Sequence, residues 1–186
     1  MRFASLFIIA ALLPAQQKTI DVHRSTISVH VGKAGIFSAA GHEHWVSAPI
    51  ASGTIADSAT PSVTFKVNAK SMEVKPDPKV DSKTQAEVQQ TMQEQVLESE
   101  KYPEIAFRSS SVTKESNGQW KVEGSLTLHG VTKPISISVQ SDGDAYVSHV
   151  EIRQSDFGIK PIKAGGGAVK VKDELGIDFH IVTASK

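Results

Sequence analysis

Cysteine is missing from all 186 residues. Its absence removes thiol nucleophiles, CxxC redox chemistry, cysteine-ligated zinc, disulfide staples and a lipobox attachment site, so the fold must stand on its own core. Net charge is missing too, because 20 Lys and Arg balance 20 Asp and Glu. No field is available to hold a polyanion, and no basic stripe carries interleaved aromatics, which argues against nucleic-acid binding. Aromatic residues make up only 6% of the chain. The run LFIIAALL (6–13) falls far short of the ~20 residues that span a bilayer, no later segment comes near that length, and no transmembrane segment is expected. What is present, 39% hydrophobic and 22% charged residues, is the mix of an ordinary globular protein with one domain.

The first residues have the layout of a signal peptide. One positive charge, Arg2, precedes the apolar run, and Pro14-Ala15-Gln16-Gln17 comes after it. Cleavage after Ala15 or Gln17 is expected, with residues 1–17 as leader and 18–186 as one domain of a periplasmic or secreted protein. Loss of Arg2 leaves 19 basic against 20 acidic side chains, a net charge of −1.

From Ile20 onward, apolar residues recur with period two: Ile27, Val29, Val31; Val63, Phe65, Val67; Trp120, Val122, Leu126, Leu128; Ile135, Ile137, Val139; and Leu175, Ile177, Phe179, Ile181. This alternation predicts half-buried strands, and the Gly, Asp, Asn and Pro clusters between them predict hairpins. One stretch differs. Thr84 to Ser99 lacks Gly and Pro and places Val88, Met92 and Val96 at i, i+4 and i+8, which predicts one amphipathic helix capped by Asp81 or Ser82 and stopped at Tyr102-Pro103. Lys75-Pro76-Asp77-Pro78 reads as an extended linker. Seven or eight strands with one helix predict an all-β protein, either an antiparallel barrel or a sandwich.

Catalytic motifs are absent: no GxSxG, Walker loop, HExxH or dinucleotide fingerprint occurs. The sharpest local feature is Gly41-His42-Glu43-His44-Trp45. In an extended chain His42 and His44 share a face, as two ligands of one metal would require, with His129, His149 or His180 as a distant third. The plainer reading is a polar barrel mouth. His129 is expected to serve a tight turn. Asp156 and Asp178 are expected to point outward or bond within turns, with Arg153 able to pair with Asp156 across a bend.

Several runs resemble the YceI-like family of exported bacterial proteins, also called polyisoprenoid-binding or bacterial lipocalin-like proteins. Tyr102-Pro103-Glu104-Ile105-Ala106-Phe107-Arg108-Ser109 resembles its "FPxIxFxS" segment. The run from Val122 to Pro134 (VEGSLTLHGVTKP) resembles its "GxLTxHGVTKP" signature. Arg153 to Ile159 resembles the "RxDFGI" turn and Ile20 to Ser25 the "IDxxHS" start. Phe37 to His44 departs from the common "GxFxxFxG" pattern and resembles a "GHDH"-like subgroup.

The resemblance implies an eight-stranded antiparallel lipocalin-like β-barrel with one helix and a tunnel for an isoprenoid, quinone or other long-chain amphiphile. It favours a carrier over an enzyme and calls for no cofactor. A homodimer is compatible with it. The expected ligand contacts are Phe37, Trp45, Ile105, Phe107, Leu126, Leu128, Phe157 and Phe179, with His42 and His44 at the tunnel mouth. An apolar tail fits such walls: each isoprene unit gains roughly 3 to 4 kcal/mol gross at ~0.8 per buried CH₂, and ordering costs take back much of it. Two other classes stay open. One is a metal-binding protein or metal-dependent enzyme built on His42 and His44, and the other is a filled structural barrel that interacts through its helix.

Overall fold

The computed structural model describes residues 17–34, 43–164 and 169–184. Within them, twelve strands and one α-helix succeed one another as β1 (Gln17–Thr19), β2 (Thr26–Ala34), β3 (His44–Ser47), β4 (Ile50–Ala56), β5 (Ser62–Asn68), β6 (Glu73–Val74), α1 (Ser82–Thr91), β7 (Glu104–Lys114), β8 (Gln119–Leu128), β9 (Val131–Asp142), β10 (Ala145–Arg153), β11 (Lys163–Ala164) and β12 (Val169–Val182). All pair antiparallel within one sheet.

These strands make eight staves. β1 and β2 are two halves of one stave, broken at residues 21–25, where Asp21 Oδ1 accepts the His23 and Arg24 N–H groups at 3.1 and 3.2 Å. The buried Ser25 hydroxyl keeps the break attached to β12, accepting the Val182 N–H at 2.9 Å and donating to the Val182 carbonyl at 3.3 Å. β3 and β4 form a second broken stave, interrupted at Ala48-Pro49, where proline has no N–H to continue a ladder. β6 and β11, two residues each, are appendages on β3 and β12.

The ring then runs from β1 through β4, β5, β7, β8, β9, β10 and β12. It closes where Ile20 bridges Thr183 and the Ala184 N–H donates to the Thr19 carbonyl at 2.8 Å. The eight-stranded barrel expected from the sequence is therefore present, and the sandwich is ruled out. The larger count of hydrogen-bonded segments reflects two interrupted staves and two short additions.

The helix begins as expected and ends earlier. The Asp81 carboxylate accepts the Lys83 and Thr84 N–H groups, both at 3.0 Å, and the Thr84 hydroxyl at 2.7 Å. Instead of running on to Ser99, the α-helix passes at Met92 into one π-turn, closed by the Leu97 N–H on the Met92 carbonyl at 2.9 Å. The wider turn changes the angular position of the residues beyond it, so that Val96 and Leu97 both face the barrel interior. α1 buries no residue of its own. Glutamine amides fasten this segment: Gln89 Nε2 donates to the Met72 carbonyl at 2.9 Å, and Gln93 Nε2 to the Ala69 and Met72 carbonyls at 3.1 and 3.0 Å. The far end is tied by Glu98, whose carboxylate stands 2.6 Å from His129 Nε2. Both residues adopt left-handed backbone, at φ 43° and 51°.

Candidate functional site

Side-chain alternation along the staves builds the site. Inward residues enclose two cavities of about 100 and 110 Å³, stacked end to end along the barrel. On β8, Trp120 and Val122 line the first chamber, and Leu126 and Leu128 line the second. On β10, Tyr146 and Ser148 face the first, and Val150 and Ile152 the second. Cross-strand neighbours on one face belong to one chamber because pleating sends alternate residues to opposite sides.

Four residues border both chambers: Phe65, Phe107, Ile137 and Phe179. They form a waist. The Phe65 and Phe107 rings stack with centroids 5.4 Å apart, and Phe179 meets Phe65 edge-on at 6.1 Å. Gly124 makes this possible. A Cβ there would lie 2.5 Å from Phe107 Cζ and 2.6 Å from the Arg108 carbonyl oxygen.

The two ends differ. Asp57 and Ser62, at the β4–β5 hairpin, line the first chamber and are exposed, so that chamber reaches solvent. Every residue lining the second is buried or half-buried, and Met72, Val96 and Leu97 cover its end beneath the helical segment. Among the described residues, the second chamber has one polar side chain on its wall, Gln154, whose Nε2 donates to the Lys172 carbonyl at 2.7 Å. With its polar group already engaged, the wall offers an occupant dispersion and desolvation and little hydrogen bonding.

The expected contacts fall in several places. Phe107 and Phe179 lie at the waist, and Ile105, Leu126 and Leu128 line the second chamber. Phe157 is 2% exposed and packs in the core, outside both linings. Trp45 is on the outer wall, 45% exposed, with its ring stacked on His30 at 4.7 Å. His44 opens β3 opposite Val31, half-buried on the face of Val46 and in neither lining. Phe37 and His42 lie outside the described residues. Among the described residues, no group of three or more His, Asp or Glu side chains is placed to hold a metal ion. No described helix is long and apolar enough to cross a membrane.

Other expectations meet the structure at particular atoms. Arg153 pairs with Glu174 (3.5 Å), its cross-strand partner, rather than with Asp156, which sits in the 3₁₀ turn Gln154–Phe157. Asp178 lies half-buried and receives His149 Nδ1 at 2.7 Å. His129 does occupy the β8–β9 turn, and the residues not singled out from sequence are Phe65, Trp120, Ile137 and Tyr146. Phe65 and Ile137 are visible in the alternation. Trp120 is visible there too, two residues before Val122, whereas Tyr146 stands at a strand start, where a turn hides the periodic signal.

Comparison with known proteins agrees with this architecture. A UPF0312 protein of Shewanella denitrificans is 33% identical over 92 residues, 44% of this chain and 48% of the relative. A UPF0312 protein of Vibrio parahaemolyticus is 47% identical over 47 residues, 25% of each. The chain spans less than half the length of these curated relatives. Crystalline BcnA of Burkholderia cenocepacia superposes with a TM-score of 0.65 at 17% identity, covering 89% of this chain and 99% of that one. A polyisoprenoid binding domain from Saccharophagus degradans, implicated in plant cell wall breakdown, gives 0.64 at 13% identity, covering 92% and 99%. These two likenesses are of fold. The YceI-like domain matches residues 19–183, almost the whole of the barrel from its first stave to the closing bridge, and the chain belongs to the YceI-like family.

Proposed function

We propose that this protein is an exported, non-enzymatic carrier that holds the tail of a polyisoprenoid, quinone or similar long-chain amphiphile inside its barrel. Residues 1–17 serve as the leader to the periplasm or exterior, and residues 18–186 form the binding domain. The observation that carries the reading is the pair of apolar chambers in series, reaching solvent at one end and covered at the other by Met72, Val96 and Leu97. Such walls select by length and shape, since the described lining of the second chamber is apolar apart from Gln154. The Saccharophagus domain described as polyisoprenoid-binding has the same fold, which supports the ligand class.

The test is mass spectrometry of organic extracts from the purified protein, paired with fluorescence titration of a C20 isoprenoid alcohol. A stoichiometric amphiphile in the extract and saturable binding in the titration are expected. An empty extract together with no binding would reject the carrier.

A further inference from the structure

The rim of the first chamber carries a cation on its inner side. On β7, Ile105 and Phe107 face inward, but the register shifts between Ser109 and Ser111, and beyond the shift Val112 faces the first chamber. The bulge reverses the parity of the strand. Lys114, two residues on, shares the face of Val112 and lies directly opposite Trp120, which lines the same chamber. Its ammonium stands 5.5 Å from the centroid of the Trp120 ring.

The neighbouring charges leave this cation available. Lys18, Lys66, Lys70 and Lys121 each have a carboxylate within 4.0 Å, whereas Lys114 has none among the described residues. Asp57, also on this rim, is 4.0 Å from Lys18. Glu115, just past the end of β7, acts on Lys121, which pairs with Thr113 and alternates with the lining residues Trp120 and Val122. The Asp57 charge lies within 4.0 Å of Lys18, and among the described residues no carboxylate stands within 4.0 Å of Lys114. The indole beneath it is fixed in turn, because Trp120 Nε1 donates to the Ser141 hydroxyl at 3.3 Å.

We propose that Lys114, held over Trp120, seats an anionic head group, a carboxylate or phosphate, of an amphiphile whose tail enters the first chamber. The proposal rests on the carrier reading and adds the head-group class and the direction of entry. An ammonium at an apolar opening favours an amphiphile over a free anion, since only the tail supplies the burial that keeps the ligand in place. It also favours an acid over the matching alcohol, because the ammonium forms an ion pair with the charged oxygen of one and only an ion–dipole hydrogen bond with the neutral oxygen of the other.

Farnesyl monophosphate, farnesol and inorganic phosphate are the probes, titrated at low salt against the full chain and against Lys114→Gln and Lys114→Arg. The unaltered protein should bind farnesyl monophosphate about threefold or more tighter than farnesol, the preference should vanish in Lys114→Gln, and Lys114→Arg should keep it. Inorganic phosphate alone should neither bind nor compete. Equal binding of the two isoprenoids, or a preference that survives in Lys114→Gln, overturns the head-group seat while leaving the carrier standing. Competition by inorganic phosphate overturns the lipid assignment in favour of a free-anion site. Failure of both isoprenoids to bind removes the carrier reading and the seat together.

Discussion

The ring of Phe107 occupies the space that a side chain at Gly124 would fill, with Cζ 2.5 Å from where a Cβ would stand. Because Phe107 borders both chambers, this glycine sets whether the waist is closed by a ring or displaced by one. Gly124→Ala cannot be relieved by turning the ring alone, since the Arg108 carbonyl oxygen is also only 2.6 Å away. A loss of about 1 to 3 kcal/mol in chemical denaturation is expected, typical of overpacking a close-packed site. A variant with unchanged stability would show that the strand pair yields there.

The complementary change is Phe107→Leu, which thins the waist without adding bulk. Joining the chambers should raise the affinity for a C20 isoprenoid alcohol relative to a C10 one, at a stability cost of about 1 to 3 kcal/mol for the lost ring contacts. If the C20 to C10 affinity ratio is the same in the variant, the ring does not limit tail length.

Much of this arrangement is legible in the sequence, and the exceptions have local causes. Period two on β8, on β9 and on β12 from Leu175 onward marks the faces that line the chambers, because an antiparallel ladder keeps its parity where no register shift interrupts it. On β7 the bulge between Ser109 and Ser111 changes it, so spacing alone does not place Lys114 at the rim. Trp45 is among the ligand contacts expected from the sequence, yet it stands on the outer wall. Its register partner is His30 on the outer wall, and parity on a four-residue strand is fixed by pairing. Helix length is over-read for a related reason: a π-turn needs no Gly or Pro to announce it, and Met92 to Val96 are ordinary helix formers.

Leu128 lies deep in the second chamber, near the turn that carries His129 and Gly130. Leu128→Trp should occupy that chamber and lower uptake of a long-chain isoprenoid alcohol, while circular dichroism and cooperative unfolding remain those of a folded barrel. Gly130→Val should act differently. Its φ of 74° disfavours any β-branched residue, and a Cβ would lie 2.6 Å from Tyr102 Cε1. A destabilisation of about 2 kcal/mol or more is expected, without change in ligand preference. The parental melting temperature in Gly130→Val would contradict this.

Acid should loosen the start of the helix. Asp81 caps α1, and hydrogen bonds from the Thr84 hydroxyl and N–H, then from the Lys83 N–H, hold its carboxyl below the usual carboxylate range. A carboxyl whose folded-state pKa is depressed contributes its stability fully above the unfolded value and loses it as pH falls through the lower folded value. The cap should therefore be intact from neutral pH down to about pH 4, the ordinary aspartate value, and weaken only below that. Hydrogen-exchange protection factors, which divide out the intrinsic pH dependence of exchange, should fall for the Lys83 and Thr84 amides in that acid window. Asp81→Asn keeps an acceptor that does not titrate, so its protection should be lower at neutral pH yet flat into acid. Asp81→Ala should lose it at every pH. A profile for Asp81→Asn that falls in the same window as the unaltered chain would assign the acid transition to another group and leave the cap without a part in it.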